Sequence, residues 1–125
     1  MTKRRIFKFE EPLYTGRFSV FFAGEPEKTR GLITKTLGIE RDAMPLDLFN
    51  STAFYSGVVD DTRGVFWFAE KEPCASTIAH EALHAVTHIM HIVGHRLEYD
   101  TSEEPHCYLL EFIVGNIYNF SRGNK

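Results

Sequence analysis

Histidine, glutamate and histidine stand together in His80-Glu81-Ala82-Leu83-His84, and this spacing carries more chemistry than any other part of the chain. On a helix, residues four apart lie over one another on one face, so His80 and His84 present two imidazole nitrogens to a single tetrahedral ion. Imidazole and carboxylate donors favour Zn2+ among the divalent metals. Glu81, beside that pair, is placed to take the proton of a water on the ion's open position, which makes it the general base of a metal-assisted hydrolysis. The bare pentapeptide is weak in a chain with six His, but its surroundings are those of an amphipathic helix. Ser76 stands as N-cap, Ile78, Ala79, Ala82, Leu83, Val86, Ile89, Met90 and Val93 recur at helical spacing, and Gly94 is a stop.

A helix needs something to pack on, and the residues before it supply strands. Ile6 to Glu10 alternates apolar and polar side chains, and Arg17 to Phe22 is rich in β-favouring residues. Pro26 opens a helix that runs to Leu37 and stops at Gly38, with Gly31 as a weak point. Beyond a loop through Pro45, Thr52 to Val59 and Gly64 to Glu70 read as two strands joined by the turn residues Asp60-Asp61-Thr62-Arg63-Gly64. The order predicts a single α+β domain over residues 1–125, with strands and one helix in residues 1–75 and two metal-site helices in residues 76–120. Its sheet, mostly antiparallel, packs on the His80 helix and on a C-terminal helix from Ser102 or Glu103 to about Phe120.

The formal net charge of −3 gives no general attraction to nucleic acid, and Lys3-Arg4-Arg5 reads as a short solvated terminus. No apolar run approaches the roughly eighteen residues of a membrane span, and Met1 to Arg5 does not lead into a signal-peptide core. The expected compartment is cytoplasmic, with neither nucleic acid nor membrane as partner. Two cysteines make no disulfide framework. Cys107, among Tyr108, Leu109 and Leu110, reads as a packed core thiol rather than a zinc ligand.

A catalytic zinc takes three protein ligands and a water, so another element must complete His80 and His84. Glu104 is the first candidate, at the start of the C-terminal helix; its competing role is to close a Thr101-Ser102-Glu103-Glu104 capping box. A straight antiparallel hairpin would instead set Glu104 beside His91 and bring Glu111 opposite His84, which makes Glu111 the rival. His80, His84, His88, His91 and His95 share a stripe of about 80°, too long for one metal, and His88 and His91 read as a polar helix boundary. His95 and Tyr99, with Arg96, lie in the following loop, where a donor to a developing oxyanion would be useful.

At this point residues 50–112 resemble the gluzincin branch of zinc metallopeptidases, the thermolysin-like group in which His-Glu-x-x-His is completed by a downstream Glu. His80-Glu81-Ala82-Leu83-His84-Ala85-Val86-Thr87 looks like its active helix, and Ala53-Phe54-Tyr55 like the edge-strand segment that binds substrate backbone over the cleft. The resemblance implies a small zincin-like fold, Zn2+ on His80, His84 and Glu104, Glu81 as base, His95 in the place of an oxyanion donor, and a peptide or protein substrate. Tyr108 stands where many of the group carry Asp, and the short Glu-x-x-Cys-Tyr-Leu run looks more like small zincins, including phage-encoded ones. Two other readings use the same residues. One is an inactive zincin-fold binding or inhibitor protein that keeps zinc structurally and grips a partner with its Phe-rich strands, and the other is an amidase or deacylase. Oligomeric state is not written in the sequence.

Overall fold

The computed structural model describes residues 5–99 and 103–123. Strand β1 (Arg5–Glu11) and strand β2 (Gly16–Phe22) form an antiparallel pair, as their alternating aromatic runs predict. Helix α1 (Pro26–Leu37) keeps its predicted bounds. Pro26 has no N–H to lose there, the Glu25 carboxylate accepts from the backbone N–H groups of Glu27 and Lys28, and Gly38 ends the helix at a φ of 72°. Two 3-10 turns, Arg41–Ala43 and Leu46–Asn50, fill the loop through Pro45. Strands β3 (Ala53–Gly57) and β4 (Arg63–Phe68) make the expected hairpin, and helices α2 (Ala75–Val93) and α3 (Glu103–Ser121) complete the α+β chain.

The strands lie in the order β1-β2-β4-β3, so β1 and β3 are the two edges. The sheet is mixed, because β2 and β4 are parallel. Parallel neighbours need a long crossover, and here α1 and the segment after it provide one. Alternation along the strands then sorts the side chains into two cores. Phe18, Val20 and Phe22 of β2 and Phe66 and Phe68 of β4 meet Ile78, Ala82, Ala85 and Ile89 of α2 and Leu109, Ile113 and Ile117 of α3. On the opposite face Phe21, Phe54, Val65 and Trp67 pack on Ile33 and Leu37 of α1. Each buried ring stabilises the fold by about 2–3 kcal/mol through removal of apolar surface from water. No helix among the described residues is long and apolar enough to cross a membrane.

Several local expectations are corrected. The N-cap of α2 is Cys74, whose extended backbone precedes Ala75, and the hydroxyls of Ser76 and Thr77 turn to its Sγ at 3.2 and 3.1 Å. Leu83 is exposed on a side of α2 away from the buried stripe, and Val93 is exposed because it is the last residue of the helix. Cys107 is exposed too, since it stands about 200° around α3 from the inward stripe of Leu109, Ile113 and Ile117. The proposed capping-box residues Thr101 and Ser102 lie outside the described residues.

Arg5 is not a solvated charge. Its guanidinium lies over the rings of Phe120 and Phe22, at 4.8 and 5.6 Å, and donates to the carbonyls of Phe120 and Ser121 at 3.0 and 3.4 Å. A cation is favoured there because the last carbonyls of a helix have no intrahelical partner and carry the negative end of its dipole. Lys3 and Arg4 lie outside the described residues. Arg5→Ala is expected to lower stability by about 1–2 kcal/mol, read as a lower urea midpoint at unchanged slope. Arg5→Lys should recover only part of that loss, because an ammonium cannot stack as a planar guanidinium does.

Candidate functional site

The apolar side of α2 fixes what its other sides can do. With Ile78, Ala82, Ala85 and Ile89 turned to the sheet, His80 and His84 fall on the solvent side and Glu81 falls between, toward β3. Both imidazoles are exposed, whereas Glu81 is only 7% exposed. Its Oε2 lies 3.9 Å from His80 Nε2. The two rings are 5.1 Å apart between centroids and steeply inclined, at 72°. Metal–nitrogen bonds of about 2.0–2.1 Å at a tetrahedral angle put ring centroids roughly 5 Å apart, so the imidazole pair fits one such ion.

These side chains open into a cleft of about 600 Å³ whose opposite wall is β3 with Val58 and Val59 just beyond its end, and whose floor also includes Thr87, His88 and His91. The strand turns part of its backbone outward beside this cleft, although the Ala53 carbonyl accepts from the Ser51 hydroxyl at 3.2 Å. Val58 N–H donates to Arg63 O and Ala69 N–H to Thr52 O, both at 2.9 Å. Antiparallel ladders alternate, so Thr52, Phe54, Ser56 and Val58 bond toward β4 while the backbone groups of Ala53, Tyr55 and Gly57 point outward from the edge.

One contact crosses from the helix to that strand, and sequence reasoning missed it. His88 Nε2 lies 2.7 Å from Val58 O, and His88 Nδ1 lies 2.7 Å from the Tyr55 hydroxyl. A carbonyl only accepts, so Nε2 carries the proton and Nδ1 accepts from the Tyr55 O–H. Burial pushes the Tyr55 phenol far above its ordinary range, which keeps it a donor. Two glycines make the room. A Cβ at Gly57 would stand 2.4 Å from His88 Nδ1, and one at Gly64 would stand 1.9 Å from the Tyr55 oxygen. His88 is thus tied to the sheet and is not at a solvated helix boundary, while His91 is exposed at the far end of the cleft.

The other predicted site residues lie elsewhere. Arg122 Nη1 donates to Pro73 O at 2.6 Å, so α3 runs antiparallel to α2. Counted from that contact, Glu111 is level with His84 and Glu104 with His91. Level is not facing, however. Tyr108 reaches the buried Glu11 at the end of β1, and Glu111 lines a groove with Phe7 of β1. Glu104, one turn before Tyr108, shares their face and is exposed. That face looks toward the β1 edge, whereas the imidazole cleft is walled by β3, the opposite edge. Among the described residues no third His, Cys, Asp or Glu joins His80 and His84 in a metal-holding group.

His95 follows Gly94 beyond the end of α2, its ring edge-on to Tyr14 at 5.9 Å, and Tyr99 is 80% exposed in the same loop. Neither lines the cleft. The Tyr108 hydroxyl is pushed up to about 12 by its hydrogen bond to the Glu11 carboxylate and by loss of water. Glu11 also accepts from the backbone N–H groups of Leu13 and Tyr14, so this cluster holds the β1–β2 turn.

No family model matches the chain, and no curated protein or solved structure is similar to it.

At the N-terminal end of α2 the Cys74 thiol is drawn down to about 7, first by its hydrogen bond to the Ser76 hydroxyl and then by those to Thr77. In a Cys107→Ser background the rate of iodoacetamide alkylation should therefore rise with a midpoint near pH 7, and Ser76→Ala should move that midpoint upward. Because the folded value lies below the ordinary 9.0, the stability this thiolate contributes is complete above pH 9.0 and is lost as pH falls through about 7.

Proposed function

We propose that the chain is a zinc-dependent hydrolase, and within that class a metallopeptidase of gluzincin type. The observation that carries this reading is a buried carboxylate, Glu81, beside two exposed imidazoles in a cleft walled by an edge strand. His80 and His84 would hold the zinc. When bound there, it would polarise the scissile carbonyl and make a water acidic enough to attack near neutral pH. Glu81 takes the proton of the attacking water on its carboxylate and returns it to the leaving nitrogen. The outward backbone groups of Tyr55 and Gly57, with the N–H of Ala53, pair with the extended substrate, as an added strand does.

The third ligand in this proposal is Glu104. It sits in the first turn of α3 on the face toward the β1 edge, so its support is the spacing of the resemblance and not a contact with the imidazoles. An amidase or deacylase would use the same three α2 side chains, but the edge of β3, with three outward-facing residues beside the cleft, favours an extended peptide over a small amide. A partner-gripping role for the Phe-rich strands has less support, because Phe18, Phe21, Phe22, Phe54, Phe66 and Phe68 are spent in the two cores.

Elemental analysis after dialysis against a weak chelator should find one zinc per chain in the parent and none in His84→Ala. Loss in Glu104→Ala with retention in Glu111→Ala supports the proposed ligand set; retention in both leaves the imidazole pair as the only protein donors. Glu81→Gln should keep the metal and lose roughly a thousandfold or more in kcat on an unfolded protein substrate, since the amide cannot accept the proton. Undiminished cleavage by that variant would sink the assignment of Glu81.

A further inference from the structure

Proposing peptide pairing along β3 raises the question of what holds that edge in place. An edge strand has a neighbour on one side only, and β3 is five residues long. Two of its three outward-facing residues are nevertheless fixed from below. The Tyr55 side chain ends on His88 Nδ1, and Gly57 lies against the same ring so closely that no Cβ fits between them. The Val58 carbonyl, next along the chain, receives His88 Nε2–H. His88 itself stands one turn beyond His84, on the continuous helix that carries His80 and Glu81. One imidazole ring therefore links the pairing edge to the frame of the reactive side chains, over a sequence separation of 30 to 33 residues.

We infer that Tyr55 and His88 form a positioning pair that sets the register of β3 along α2, and with it the place of a bound extended peptide relative to His80, Glu81 and His84. This rests on the proposed peptidase reading. Neither residue touches the reacting atoms; each acts through the strand. A substrate long enough to pair with Ala53, Tyr55 and Gly57 feels the pair, and one too short to reach β3 does not. Displacement of a substrate by about 1 Å is enough to lower turnover strongly, so a small loosening of the edge is sufficient to be read.

The test uses the zinc-loaded full chain with two probes, fluorescein-labelled casein as the extended substrate and a blocked dipeptide amide as the short one. Tyr55→Phe removes the hydroxyl with little change of shape. His88→Gln keeps a donor for the Val58 carbonyl and gives up the Tyr55 contact, so both variants cut the same bond. Each should raise KM for casein roughly tenfold, and the double variant no further, because the shared bond is already lost. The loss on casein, read as kcat/KM, should exceed any loss on the dipeptide amide about fivefold or more, at unchanged zinc content. Amide exchange at Phe54, Ser56 and Val58, which bond toward β4, should quicken in all three.

An unchanged KM for casein in active variants overturns the positioning role and leaves the pair as a structural tie. Equal losses on the long and short probes overturn it as well, because the effect is then not routed through the strand edge. A parent that holds zinc but cleaves neither probe overturns the peptidase reading and the positioning role that rests on it. That case is distinguished by faster amide exchange without any kinetic difference.

Discussion

The rotation of α2 about its own axis is the constraint on which the cleft depends. Ile78, Ala82, Ala85 and Ile89 are each fully buried against a sheet face built of phenylalanines. Two of these four are alanines, which let the helix approach that face closely. Rolling the helix by one residue would take about 100° of this stripe into water and bring His80 or His84 under the sheet, at a cost of several kcal/mol in lost burial. The position of Glu81 follows from the same stripe. It lies at the boundary between the buried and wetted sides, where a carboxylate can be covered and still face a cleft.

The two edges of the sheet are treated unequally, and this divides the molecule into a structural side and an open side. β1 is closed in by α3: its first residue caps the end of that helix through Arg5, and its last, Glu11, takes the Tyr108 hydroxyl. β3 packs Ala53 and Tyr55 on the core, takes the hydrogen bonds of the His88 ring, and keeps the outward backbone of Tyr55 and Gly57 uncovered by any strand. The polar groups of α3 that might have served the imidazoles are committed to the β1 side. The helix hairpin thus satisfies its apolar stripe, Leu109, Ile113 and Ile117, at the expense of presenting Glu104 to the cleft.

Local signals were legible in the sequence where one residue type forces one geometry. Pro26 and Gly38 bracket α1, Gly94 ends α2 in the left-handed conformation, and the β-favouring runs Arg17 to Phe22 and Gly64 to Phe68 form strands whose faces are both apolar. The His80–His84 pair came from the same short-range reasoning, whereas the edge position of Ala53–Phe54–Tyr55 was implied by the family resemblance. What spacing could not convey was the relation between elements. The parallel pairing of β2 with β4 depends on where α1 packs, and the side to which Glu104 looks depends on which stripe of α3 wins the core. The Cys107 thiol was misplaced for that second reason, since Leu109 rather than Cys107 defines the inward side. His88 was read as one more member of a polar stripe because its partners, Tyr55 and Val58, lie on another element.

Gly57 and Gly64 differ from the glycines that end helices. They are small because a ring and a hydroxyl occupy the space where their side chains would be. Tyr55, Gly57, Gly64 and His88 therefore behave as one inherited character and not as four independent positions. A lineage that lost the ring at Tyr55 would be released to acquire a methyl at Gly64, because ring carbons as well as the hydroxyl fill that space, and one that lost the ring at His88 would be released at Gly57. The reverse order is closed, because the methyl cannot come first. History along this edge then runs through the aromatic partners, and the glycines follow.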